Sequence, residues 1–112
     1  MADIALGKVT TTAGVPIKVT GTNKFPAWIT SCHSYLVEVL PTNKGIVYVG
    51  DRPTMSRATF EGVLAWLPPP TTNSAPSYTV TISSAPNGLS VLERYIDVDV
   101  DGDGVIVSVA VN

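Results

Sequence analysis

Turn-forming residues divide this chain into short apolar runs, and their regular spacing constrains the fold more than any other feature. The 112 residues include nine prolines and nine glycines. Clusters of turn residues, such as Pro41–Gly45 and Pro68–Ser77, recur about every ten residues, a spacing typical of β-sandwiches and barrels. Valine and threonine are abundant, and both favour strands. The sequence therefore predicts an all-β, antiparallel fold.

The length fits one domain. A chain of 112 residues is too short for two ordinary domains but long enough to build its own core. We find no repeat and no linker that divides it. We therefore expect residues 13–112 to form a single β-sandwich of about eight strands. Residues 1–12, with little periodicity, are either an N-terminal arm or the first strand.

Alternating apolar and polar residues mark several strands. Val15–Val19, Trp28–Leu40, Ile46–Val49 and Tyr78–Ile82 are strand candidates. Pro16 places the first of them at a sheet edge, because proline has no N–H to donate to a neighbouring strand.

Residues 59–67 fit two periodicities. Phe60, Val63, Leu64 and Leu67 have helical spacing, whereas Phe60, Leu64 and Trp66 share one face of a strand. Gly62 weakens a helix by about 1 kcal/mol relative to alanine. We favour the strand and leave the helix as an alternative.

Four aspartates alternate near the end of the chain, at Asp97, Asp99, Asp101 and Asp103. Their spacing with Gly102 matches the first half of a calcium-binding loop. In the two possible frames, position 12 is Ser108 or Ala110 instead of the bidentate glutamate. Both flanking segments also read as strands instead of helices, so the calcium loop is the weaker interpretation.

A β-hairpin accounts for more of this stretch. Ile96, Val98 and Val100 alternate before the turn, and Val105, Val107 and Val109 alternate after it. A loop of even length within Asp101–Gly104 would place both sets on the core face and the aspartates outside. Asp-Gly and Gly-Asp pairs suit such a turn. We therefore predict a C-terminal hairpin with solvated carboxylates and no metal site, with a weakly held surface cation at the four aspartates as the alternative.

Residues with catalytic potential are few. His33 is the only histidine; Ser31 would share its strand face, whereas the lone Cys32 would point the other way. Neither residue has an evident third catalytic partner in the surrounding run. We expect no enzymatic activity and no cofactor.

Charge and hydropathy exclude further classes. The formal net charge is −2, and no basic patch suggests nucleic-acid binding. The N-terminal segment lacks the features of a secretory leader, and no apolar run reaches the ~20 residues that cross a bilayer. We expect a protein made in the cytoplasm that binds neither nucleic acid nor membrane.

A few apolar residues are the candidates for partner binding. They lie in the N-terminal segment and at the two tryptophans: Ile4, Leu6, Val9, Trp28 and Trp66. Tryptophans more often anchor a core or an interface than bind sugars, although stacking on sugars is a second interpretation.

Two segments resemble small virion proteins of tailed bacteriophages, in which an N-x-G-x-(I/V)-Y-V-G strand pair precedes a terminal Y-I-D-x-D-x-D-G-D-G-V segment. The first pattern is matched by Asn43, Gly45, Val47, Tyr48, Val49 and Gly50. The second is matched by Tyr95, Ile96, Asp97, Asp99, Asp101, Gly102, Gly104 and Val105. The triple proline within Gly62–Pro70 departs from the short L-x-P-G segment expected there.

This resemblance points most closely to the capsid decoration, or cement, proteins. It implies a jelly-roll-like sandwich that binds the major capsid protein on the virion exterior, as a dimer or trimer, and stabilises contacts between capsomers. Other phage parts (a head-completion, tail or fibre-tip protein) and a carbohydrate-binding or adhesin module are the alternatives.

Overall fold

The computed structural model describes residues 2–19, 34–81 and 94–111. Strands, turns and irregular segments make up all of this part of the chain, so the all-β prediction is confirmed. The eight strands are β1 Ala2–Thr10, β2 Ile17–Lys18, β3 Ser34–Val39, β4 Val47–Gly50, β5 Val63–Leu67, β6 Ser77–Thr81, β7 Tyr95–Val98 and β8 Gly104–Val111. Over the same ranges, no helix could span a membrane.

The strands form two antiparallel sheets of four. The first sheet has the order β1-β8-β3-β6, and the second has the order β2-β7-β4-β5. Each strand of the first half pairs with its counterpart in the second half: β1 with β8, β2 with β7, β3 with β6 and β4 with β5. A chain doubled on itself and then wound into two facing sheets has this order, so the sandwich is jelly-roll-like, as predicted.

The core lies between the two sheets and consists mainly of valines. Alternation along each strand turns every second side chain inward, and β-branched residues pack well on a pleated surface. The first sheet contributes Val9, Val37, Val39, Val105 and Val107, and the second contributes Val47, Val49, Leu67, Ile96 and Val98. Six residues of the C-terminal strands were predicted to face inward, and four of them are fully buried: Ile96, Val98, Val105 and Val107. Val100 is only half-buried in the connection between the strands, and the side chain of Val109 lies outside the described residues.

The N-terminal segment is a strand over Ala2–Thr10. Its ladder with β8 is interrupted by a bulge between Ala5 and Gly7. The short strand β2 lies at the edge of the second sheet, where Pro16 placed it. Residues 59–62 form turns, and the strand expected in this region occupies Val63–Leu67.

The predicted pairing of the last two strands is wrong. β7 pairs with β2 and β4 in the second sheet, whereas β8 pairs with β1 and β3 in the first. Residues 99–103 therefore cross from one sheet to the other instead of closing a hairpin. Both arrangements turn the same valines towards the core, because strands in two facing sheets also meet at their inner faces. The alternating pattern alone does not distinguish them.

Candidate functional site

Asp97 is buried on the outer side of the second sheet. Its Oδ1 accepts hydrogen bonds from the backbone N–H of Gly14 at 2.9 Å and of Val98 at 2.8 Å. Its Oδ2 lies 3.2 Å from Nε of Arg57. The residue is only 2% exposed, because the turn at Gly14 and the Arg57 side chain lie over it. The prediction of a solvated carboxylate is wrong here, since alternation specifies a face but not what covers that face.

Asp103 is also buried, at the other end of the connection. Its carboxylate accepts hydrogen bonds from the backbone N–H of Lys44, at 3.0 Å and 3.2 Å to its two oxygens, and of Gly45 at 2.8 Å. Beside it, the Asn43 amide donates to the Gly104 carbonyl at 2.8 Å and accepts from the Gly104 N–H at 3.0 Å. The carboxylate thus organises the 43–45 turn, and the prediction that it faces solvent is wrong.

The other two aspartates are exposed but bonded. Asp99 Oδ1 lies 2.8 Å from Nη1 of Arg57, and its Oδ2 accepts a hydrogen bond of 3.2 Å from the Tyr48 hydroxyl. Asp101 Oδ1 accepts a hydrogen bond of 2.9 Å from the Ala13 N–H. Asp97 and Asp101 both bind the 13–14 turn, and Asp97 and Asp99 both bind Arg57. Together with Asp103, they attach the 13–14, 43–45 and Arg57 segments to the connection.

These contacts favour a scaffold over an ion site. Within residues 2–19, 34–81 and 94–111, no group of three or more His, Cys, Asp and Glu side chains could hold a metal ion. Backbone N–H groups and a guanidinium supply the positive partners that a cation would otherwise provide. The weakly bound surface cation stays a prediction for titration, which could detect an ion at the exposed Asp99 or Asp101.

Tyr48 connects the network of the four aspartates and Arg57 to the outer surface of the second sheet. It is 7% exposed. Burial, and then the neighbouring Asp99 carboxylate, raise the pKa of its phenol above the ordinary value of 10.0. Nearby, the Arg52 guanidinium bonds Asp51 at 2.7 Å and lowers the pKa of that carboxyl. The raised pKa keeps the Tyr48 phenol neutral at pH 7, and the lowered pKa keeps the Asp51 carboxyl ionised beside Arg52.

An exposed apolar strip lies on the outer side of the second sheet. We define it as Phe60, Leu64 and Trp66, which are 53%, 45% and 56% exposed. Trp66 stands opposite Tyr48 across the β4–β5 ladder, and the rings of Tyr48 and Phe60 are 6.1 Å apart. The strip thus surrounds Tyr48 at the β5 edge of the sheet.

Phe60 adopts a backbone conformation that is rare for its type. Its φ angle is +61°, in the left-handed region, which costs a bulky residue about 1 kcal/mol or more. A half-exposed phenylalanine gains little from burial to offset that cost. Strained residues of this kind cluster at functional sites. The strip is therefore a stronger candidate for a binding site than the four aspartates are.

The sequence identified only part of this surface. Trp66, one of the predicted partner-binding residues, is exposed in the strip, and its role stays a prediction, whereas Val9 is 3% exposed and its side chain belongs to the core. Trp28, Ser31, Cys32 and His33, together with the side chains of Ile4 and Leu6, lie outside the described residues. Phe60 and Leu64 were not among the candidates, although the strand spacing that they share with Trp66 was the available signal.

Comparison with protein-family models, with curated proteins and with solved structures found no match in any of the three.

Proposed function

We propose that this chain is a non-enzymatic decoration protein of a bacteriophage capsid. It binds the major capsid protein on the outside of the head, as a dimer or trimer, and stabilises the contacts between capsomers. The support from the sequence is the pair of segments that resemble phage virion proteins. The support from architecture is the jelly roll, a fold that viral capsid proteins and lectins use repeatedly.

The two resembling segments are in direct contact, which supports the resemblance. Asn43, from the first, bonds both backbone groups of Gly104, from the second. Tyr48 stands opposite Asp97 in the β4–β7 ladder. Matching positions of the two motifs therefore contact each other, and these contacts help to keep the domain rigid. Rigidity suits a protein that adds mechanical strength by adhesion, because little entropy is lost when it binds.

The observation that carries the proposal is the apolar strip. Aromatic residues are enriched in the centres of protein interfaces, where a few large side chains supply most of the binding energy. Phe60 and Trp66 stand on a folded sheet and a short turn, so they are presented with little freedom to lose. Contact with a partner protein would remove the apolar surface of the strip from water, as is usual for exposed patches of this kind.

The test is binding to phage heads from which the protein is missing. Purified chain added to such heads should cosediment with them and raise the temperature at which they rupture. The double variant Phe60→Ser/Trp66→Ser should fold normally and lose most of this binding. Ile106→Ser is the matched control, because Ile106 is 39% exposed on the other sheet. Equal binding by the wild type and the double variant would contradict a role for the strip, and absence of wild-type binding would contradict the decoration function.

Copy number separates decoration from the other phage parts. A decoration protein is present in hundreds of copies per particle, whereas a neck, tail or fibre-tip protein is present in about six or twelve, as ring symmetry requires. Quantitative mass spectrometry of purified virions, scaled to the major capsid protein, measures this ratio.

Carbohydrate binding is the second candidate, and exposed Trp66 favours it. An indole ring that is 56% exposed beside another aromatic ring offers a face on which a sugar can stack. A glycan array probed with the isolated domain tests this function. Saturable binding that Trp66→Ser abolishes would favour it over capsid decoration, and an array without signal would count against it.

A further inference from the structure

A second surface feature lies between the end of β3 and the segment that joins β5 to β6. An open cleft of about 730 Å³ separates the end of β3 from the segment after β5. Glu38 and Pro41 line one side, and Pro70 and residues 71–75 line the other. Its volume falls within the range of roughly 300–1,000 Å³ that is usual for ligand sites.

The wall of this cleft is stiff. The backbone N–H of Thr71 donates to the Ser74 carbonyl at 2.8 Å, and the Ser74 N–H donates to the Thr71 carbonyl at 3.3 Å. This closed turn is preceded by Pro68–Pro70 and followed by Pro76, and each proline removes backbone freedom. The triple proline, which departs from the phage pattern, therefore shapes a preformed wall.

Glu38 supplies the charge of the cleft. Among the described residues that line the cleft, it is the only charged one. Val37 and Val39 turn into the core, so Glu38, between them on β3, turns outward. It is half-buried, and none of the ion pairs of the described residues involves its carboxylate.

We infer that this cleft binds a basic side chain, lysine or arginine, of a partner polypeptide. The carboxylate of Glu38 is the counter-ion, and the hydroxyl and amide groups of Thr71, Thr72, Asn73 and Ser74 can accept the remaining N–H bonds. The rings of Pro41 and Pro70 offer apolar surface for the alkyl stem, which both basic side chains bury in this way. None of the residues that line the cleft belongs to the strip, so this site would give the sandwich a second binding surface.

The test uses the isolated protein and small probes. N-acetyl-lysine amide and N-acetyl-arginine amide are titrated into ¹⁵N-labelled chain, with N-acetyl-norleucine amide as the neutral probe. A basic probe should shift the amide signals of residues 38 and 71–75. We expect a Kd of about 1–10 mM, the affinity of a single ion pair with charge-assisted hydrogen bonds. The basic probe that binds more tightly identifies the preferred side chain.

Two variants complete the test. Glu38→Gln should weaken binding roughly tenfold, whereas Glu61→Gln, at an exposed carboxylate outside the cleft, should leave it unchanged. Unchanged signals elsewhere in the Glu38→Gln spectrum show that the variant is folded. The inference is overturned if norleucine amide binds equally well, if Glu38→Gln binds like the wild type, or if the shifts map to the other aspartates and glutamates. Because no capsid is present, failure here leaves the decoration function untouched.

Discussion

The acid-rich connection and the apolar strip reverse the usual distribution of side chains. Asp97 and Asp103 are almost completely buried, whereas Phe60, Leu64 and Trp66 are about half exposed. The buried carboxylates are stable because backbone N–H groups and Arg57 satisfy them. In the part of the chain that the structure describes, no comparable set of partners covers the strip. The comparison separates residues that hold the domain together from residues that are available to a partner.

The difference also explains the structural role of the acidic motif. Loops from distant parts of the chain lack regular ladder partners for their N–H groups, and a carboxylate accepts several such bonds at once. The connection between the sheets is therefore a point at which three segments are fixed. Substitutions there should alter stability, and substitutions in the strip should alter binding.

The largest expected effect is at Gly104. A methyl group added there would overlap the carbonyl oxygen of Val9 and lie 2.7 Å from Cα of Thr10. Since backbone must move, we expect Gly104→Ala to lower the free energy of unfolding by more than about 4 kcal/mol. Urea unfolding followed by circular dichroism measures it. Gly102→Ala is the control: its φ is +88° with open space around it, so it should lose only about 1–2 kcal/mol. Similar losses in the two variants would contradict this packing.

Asp103→Ala should have the next largest effect. It removes the acceptor for the N–H groups of Lys44 and Gly45, and we expect a loss of about 3 kcal/mol in the free energy of unfolding. Asp101→Ala, which removes one bond to Ala13 at an exposed position, should lose less than about 1 kcal/mol. Equal losses in urea unfolding would show that burial does not distinguish the two aspartates.

Arg57→Ala tests the centre of the network. Arg57 pairs with the buried Asp97 and with the exposed Asp99, and we expect a loss of about 2 kcal/mol because Asp97 stays buried without its counter-ion. Double-mutant cycles with Asp97→Ala and Asp99→Ala separate the pairs. The coupling energy should be about 1–2 kcal/mol for Asp97 and about 0.5 kcal/mol for Asp99. The reverse order would mean that the exposed pair carries the interaction.

The smallest expected effect is a loss of stability at alkaline pH caused by ionisation of the Tyr48 phenol. Burial and Asp99 raise the pKa of its phenol in the folded state above 10.0, so folding favours the neutral form. That contribution is complete below pH 10 and is lost as the pH rises from there through the folded pKa. Between pH 9 and 12, melting temperatures of the wild type should therefore fall more steeply than those of Tyr48→Phe. Parallel curves would show that Tyr48 titrates like a solvated phenol.

Part of the proposed binding surface could be predicted from the sequence. The spacing of Phe60, Leu64 and Trp66 placed them on one face if the segment was a strand, and the structure has the strand from Val63. The sequence did not indicate that this face is the outer one, nor that Phe60 has a positive φ. The cleft beside Glu38 could not be predicted, because its walls come from segments about thirty residues apart.

The sequence by itself determined the all-β class, the approximate strand positions and the inward-facing valines, because these depend on alternation and turn chemistry within a few neighbouring residues. Only the tertiary structure decided that β7 and β8 join opposite sheets and that Asp97 and Asp103 are covered. Strand alternation is the same in a hairpin and in a connection between facing sheets. Burial of a carboxylate depends on loops from elsewhere in the chain, and no local pattern encodes which loop packs over it.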